Sequence, residues 1–134
     1  MEKACELIRE QKVKRIVPLT VAGAFHSRLM QPAADSFAEV LKNTEFHKLN
    51  CPVAQNFIGK IVENEADIPS NLAAQVSGSV RWEACVRDIA AKCGADVFIE
   101  FGPGSAVAGL IRKTLSDVTV YNVSGLADLD KIVL

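Results

Sequence analysis

Long hydrophobic runs are missing from this chain. No apolar stretch approaches the roughly 18 residues needed to cross a bilayer, so no membrane span is expected. The N-terminus, "MEKACELIREQKVKR", is charged and amphipathic and lacks the apolar core of a secretory signal. An excess of basic residues is missing too. Fifteen Lys and Arg stand against 16 Asp and Glu, for a formal net charge of −1. Nucleic acid is therefore not an expected partner. The densest basic group, Lys12, Lys14 and Arg15, reads as a solvated helix end. None of the four cysteines, Cys5, Cys51, Cys85 and Cys93, forms a C-x-x-C pair, and no zinc spacing results. They read as reduced thiols of a cytoplasmic protein. The serine elbow G-x-S-x-G is absent. The dinucleotide pattern G-x-G-x-x-G fails after Gly102 and Gly104, because Val107 stands where its third glycine should, and no P-loop lysine follows. No bound cofactor and no metal are expected. There is no internal repeat and no low-complexity linker.

What is present suffices for a packed core: 134 residues, 49% of them hydrophobic. Glu2 to Gln11 reads as a helix with Ala4, Leu7 and Ile8 on one face. Arg15 to Ala22 reads as a strand, with Pro18 marking an edge or a break in the ladder. A helix is expected over Leu29 to Lys42, facing inward with Ala33, Phe37, Val40 and Leu41. Cys51 to Gln55 is a short strand, and "NFIGKIV" a turn and a further short strand. Pro69 opens a helix that Gly78 interrupts, and Ser79 is placed to cap the next one. That helix carries Trp82, Val86, Ile89, Ala90 and Cys93 on one face and stops at Gly94. "ADVFIEF" has the pattern of a buried parallel strand. "GPGS" leads into a helix at Ser105 with Val107, Leu110, Ile111 and Leu115 inward. "VTVYNV" is a last strand, and Leu126 to Val133 a last helix. Alternating strands and helices predict an α/β fold with a mainly parallel sheet and helices on both faces.

In such sheets, functional residues gather beyond the carboxyl ends of the strands. Two segments fall there: "VAGAFHSRLM", with His26, and the "GPGS" turn. His26 is a candidate proton shuttle, since imidazole titrates near neutrality. The alternative is a histidine bonded to a backbone carbonyl for structure alone. His47 sits in a polar connection and reads as a surface residue. Ser27 is a poor nucleophile for His26, because the side chains of sequence neighbours diverge. Ser27 and Ser105 read as helix caps. Asp35, Glu39 and Glu100 are candidate carboxylate partners for His26. Asp35 and Glu39 lie one helical turn apart and are expected to face water. Glu100, beside the glycine turn, is the more interesting of the three.

Together these segments resemble the malonyl-CoA:acyl carrier protein transacylase family. "VAGAFHSRLMQPAADSF" is similar to its catalytic-histidine segment, "FIEFGPG" to its glycine-proline-glycine strand end, "NLAAQVSGSVRW" to the segment with a glutamine upstream of a tryptophan, and "CPVAQNFIGK" to a strand that carries an Asn before the next turn. The likeness covers nearly the whole chain, in order. It implies that His26 is the catalytic histidine. It also implies that the main-chain carbonyl of Gln75 accepts a hydrogen bond from the ring, in place of a triad carboxylate. Phe25, the aromatic residue just before the histidine, goes in this family with selectivity for malonyl and would wall the acyl pocket. Arg28 stands where many members have proline.

The same resemblance implies the C-terminal part only. Residues 1–22 would end the small ferredoxin-like subdomain, and 23–134 would belong to the large hydrolase-like domain. The family's serine in a G-H-S-x-G elbow, its malonyl-binding arginine and its oxyanion-hole glutamine lie upstream of the histidine and have no counterpart here. By itself the chain is expected to be catalytically inert. The implied partners are malonyl-CoA, acyl carrier protein and the N-terminal part of the same enzyme, and the implied process is fatty acid biosynthesis. Two other functions fit the residues: a non-catalytic module that binds an acyl carrier protein or partner chain, and a remnant of a hydrolase-like thioesterase.

Overall fold

The computed structural model describes residues 2–13, 15–18 and 21–132. The chain opens with helix α1 (Glu2–Glu10). A single 3-10 turn, Arg28–Met30, leads into α2 (Gln31–Lys42). A small antiparallel hairpin follows, β1 (Ala54–Gln55) with β2 (Lys60–Ile61), then α3 (Ile68–Ser77) and α4 (Trp82–Cys93). The remainder is a β-α-β unit: β3 (Val97–Phe101), α5 (Ala106–Thr114) and β4 (Thr119–Val123), closed by a 3-10 segment, Leu126–Lys131. β3 and β4 pair in parallel, with Phe98 opposite Val120 and Glu100 opposite Asn122. The class is α/β, as the alternation of elements predicts.

The core lies where α4 and α5 meet this parallel pair. Val86, Ala108, Ile111 and Val120 are buried together, with Trp82, Phe98, Val107, Leu115 and Val118 packed around them. Period-2 alternation places Phe98 and Glu100 on one face of β3, and that face looks toward α5. α4 ends as its sequence predicts, at Gly94 in the left-handed region with φ 62°. Burial pushes the Cys85 thiol above its ordinary range, as suits a packing residue. All four cysteines are free.

Several expectations are corrected. The described residues of the segment 15–22 form no strand, and Leu19 and Thr20 lie outside the described residues. An extended segment becomes a strand only when a neighbour takes up its N–H and C=O groups, and no described residue pairs with this one. In α1 it is Cys5 that is buried, while Ala4, Leu7 and Ile8 are exposed. α2 buries Ala34 and Leu41 and leaves Ala33, Phe37 and Val40 exposed. α5 exposes Leu110, and α4 exposes Cys93. Ser79 caps nothing: α4 begins after Arg81, with no side-chain cap. The last helix is of the 3-10 type, and Val133 lies outside the described residues. Among the described residues no helix is long and apolar enough to cross a membrane, and no cluster of His, Cys, Asp and Glu could hold a metal ion.

Candidate functional site

The site is built on the carboxyl end of α3. The last carbonyls of a helix have no partner within it, and here His26 collects them. Its main-chain N–H donates to the Val76 carbonyl at 3.3 Å. Its ring Nδ1 lies 3.0 Å from the Gln75 carbonyl oxygen and 3.2 Å from that of Gly78. Carbonyl oxygens only accept, so these two contacts assign the ring proton to Nδ1 as their donor. The other ring nitrogen, Nε2, makes no hydrogen bond among the described residues, and the residue is exposed. A neutral imidazole held in this tautomer presents a bare, basic nitrogen outward.

His26 has φ 59°, in the left-handed region. That conformation costs a non-glycine residue about 1–3 kcal/mol and persists only where the surroundings over-determine it. The three bonds to the end of α3 supply that constraint. Ser27, next in the chain, fixes the turn. Its hydroxyl donates to the Ala24 carbonyl at 2.7 Å and accepts from the Leu29 N–H at 3.3 Å, which caps the 3-10 turn. The hydroxyl is committed to the backbone and does not face the imidazole. Phe25 is 57% exposed beside His26, its ring 3.6 Å from where a Cβ on Gly23 would stand.

The carboxylates do not gather at His26. Asp35 accepts from the Gln31 amide at 2.8 Å, and Glu39 pairs with Lys42 at 2.6 Å, both on exposed helix surface. Glu100 is turned to α5 instead, accepting the Val107 and Ala108 N–H groups at 3.2 and 2.8 Å. It caps that helix from the neighbouring strand, the task expected of Ser105, whose side chain makes no cap bond. His47 is an exposed residue 3.7 Å from Glu45. Sequence reasoning missed the Val76 and Gly78 carbonyls. The one signal for them was Gly78 itself, read only as an interruption between helices.

No protein-family model matches the chain. Individual proteins do. The malonyl CoA-acyl carrier protein transacylase of Bacillus subtilis is 39% identical over 113 residues, which are 84% of this chain and 35% of that protein. The solved MCAT of Streptococcus pneumoniae superposes with a TM-score of 0.88 at 32% identity, covering 97% of this chain and 42% of that one. A malonyl-transacylase solved in complex with a type II PKS acyl-carrier protein superposes at 0.87, also at 32% identity. These relatives are transacylases, and what the chain shares with them is the α/β fold of the matched part. The chain is a relative of the malonyl CoA-acyl carrier protein transacylases and matches their C-terminal part. It spans well under half the length of these relatives.

Proposed function

We propose that this chain supplies the base half of a malonyl-CoA:acyl carrier protein transacylase, with the serine nucleophile carried by an N-terminal part. The observation that carries the reading is His26, its Nδ1 proton directed at main-chain carbonyls and its Nε2 unpartnered. In the first half-reaction Nε2 takes the proton of the serine hydroxyl as Oγ bonds to the thioester carbon. The C–S bond then breaks, and Nε2–H returns the proton to the departing coenzyme A thiolate. In the second half-reaction Nε2 takes the proton of the phosphopantetheine thiol of acyl carrier protein as its sulfur attacks the malonyl ester. The proton then goes to the serine oxygen as it leaves. Removing either partner of such a pair disables both halves.

In this reading the Gln75 carbonyl orients the base, and Phe25, exposed beside it, walls the acyl pocket. Residues 1–22 belong to the small subdomain and 23–134 to the large one. No bound cofactor takes part, and the cytoplasm is the compartment of the reaction. Acyl carrier protein as partner is supported by the carrier complex of a relative.

The test uses a chimera in which the N-terminal part of the Bacillus subtilis relative is fused ahead of this chain. Incubated with malonyl-CoA, the chimera is expected to gain one malonyl ester, located by mass spectrometry on the fused part. The 134-residue chain treated alike should gain none. A stoichiometric ester on Ser27, Ser105 or any other serine of this chain would overturn the assignment.

A further inference from the structure

The His26 ring has two carbonyl acceptors, and the second is held by an element remote in sequence. We propose that Gly78 is a positioning residue for the His26 ring and that Phe57, in the turn of the β1–β2 hairpin, holds the Gly78 carbonyl in place. The role assigned to Gly78 rests on the reading of His26 as the base; the geometry does not.

Gly78 caps α3. Its N–H donates to the Ala74 carbonyl at 2.8 Å, which turns the chain so that its own carbonyl points back to the imidazole. Its φ is −87°, where any residue is at ease, so conformational freedom does not explain a glycine here. Space does. A Cβ on Gly78 would lie 2.6 and 2.7 Å from two ring carbons of Phe57, and 2.7 Å from the Ala74 carbonyl oxygen. The Phe57 ring therefore rests directly on the Gly78 backbone.

The hairpin that presents Phe57 is itself anchored on both sides of the site. The Gln55 side chain, buried, bonds the Asn71 amide at 2.9 Å and the Ile68 carbonyl at 3.3 Å, tying β1 to α3. The Asn56 carbonyl accepts from the Arg81 N–H at 3.0 Å, tying the turn to the segment just after Gly78. The Gln75 side-chain nitrogen lies 3.4 Å from the Gly78 carbonyl and 3.3 Å from Nδ1. It cannot donate to a nitrogen that already carries a proton, so its partner is the Gly78 carbonyl. Hairpin, helix end and glutamine amide thus converge on one oxygen, and that oxygen faces the histidine.

Two acceptors on one N–H do more than one. They fix the tautomer, and they fix the ring rotation about the Cβ–Cγ bond, which decides where Nε2 points. This is the task that an aspartate performs in a serine triad. Here it is divided between two main-chain oxygens.

The experiment is NMR on the 15N-histidine-labelled chain, above the pH at which both imidazoles are neutral. The ring-nitrogen shifts give each tautomer directly, and exposed His47 is the internal reference. In the unmodified chain His26 should be wholly the Nδ1–H form. Phe57→Ala and Gly78→Ala should each shift a measurable fraction, a tenth or more, to the Nε2–H form, whereas Phe57→Leu should stay close to the unmodified chain. An unmodified chain with His26 in the Nε2–H form overturns the proposal with no variant needed. So does a Phe57→Ala or Gly78→Ala chain that keeps its melting transition and an unshifted tautomer. In the malonyl-transferring chimera, Gly78→Ala should lower kcat by about tenfold, the worth of one hydrogen bond, with KM for malonyl-CoA little changed. A tautomer that shifts while kcat does not would leave the positioning intact and remove His26 from its role as the base.

Discussion

Replacing Glu100 with alanine removes a cap that comes from outside its helix. The carboxylate accepts two N–H groups of the first turn of α5, Val107 at 3.2 Å and Ala108 at 2.8 Å. Ala108 is fully buried, at 0% exposure, so water cannot take over its N–H. Val107 is half-buried, so water can partly replace the carboxylate there. A lost cap costs about 0.5–2 kcal/mol and an orphaned buried donor about 1–3 kcal/mol. These overlap, and about 2–3 kcal/mol is expected for Glu100→Ala. In a chain of this size that lowers the melting temperature by about 10 °C. Glu100→Gln keeps one acceptor oxygen and should lose about half as much. The assay is thermal unfolding followed by circular dichroism, paired with malonyl transfer by the chimera. The folded fraction should keep its rate, because Glu100 serves α5 and does not touch His26. A Glu100→Ala protein that melts within about 1 °C of the parent while losing transfer would refute this reasoning, and would return Glu100 to the site as a partner of the histidine.

Two further outcomes follow from the same structure. Asp88 accepts the Ile61 main-chain N–H at 2.8 Å and sits 3.2 Å from Lys92, and these contacts hold its carboxyl below its ordinary value of 3.8. A lowered folded-state pKa adds stability above the unfolded value, and that stability is lost as pH falls through the folded one. Acid titration of the melting temperature should therefore show a fall that begins near pH 4 and flattens in Asp88→Asn; an unchanged acid limb would contradict the coupling. Phe25 stands 57% exposed beside His26. Rejection of one methyl is worth about 1–3 kcal/mol, or tens to hundreds of fold. In the chimera, Phe25→Ser should narrow the malonyl-over-methylmalonyl ratio of kcat/KM, mainly by raising the methylmalonyl rate. If the ratio does not move, Phe25 is packing and no part of the pocket wall.

Most elements could be placed from the sequence because their punctuation is local. Pro69 opens α3, Gly94 in the left-handed region ends α4, and "VFIEF" carries its strand pattern within five residues. Segment 15–22 failed for the opposite reason: its strand character depends on a neighbour that no pattern within it encodes. The apolar stripes of α1 and α2 were visible, but the faces they mark, Leu7 and Ile8, Phe37 and Val40, are exposed here. A stripe shows that a face is apolar and does not show what lies against it. At the site, His26 could be singled out because a histidine at the end of an apolar run is conspicuous. Its acceptors could not be found by residue type, since main-chain oxygens are the same at every position. The resemblance pointed to Gln75, some 50 residues away; Gly78 emerged only from the geometry. Glu100 was legible as unusual, but its partner, the helix end that follows it, was assigned to Ser105.

The central claim is that His26 is the base of malonyl transfer, and a rate measurement in the chimera tests it most directly. His26→Asn is the sharper substitution, because asparagine tolerates the left-handed conformation at φ 59° while lacking a basic nitrogen. His26→Ala serves as its companion. Single-turnover formation of the malonyl-serine ester, followed by rapid quench and mass spectrometry, should slow by at least about a hundredfold in both, the lower range for loss of a general acid–base group. Ester formation within threefold of the parent rate in a folded His26→Asn chimera would contradict the account.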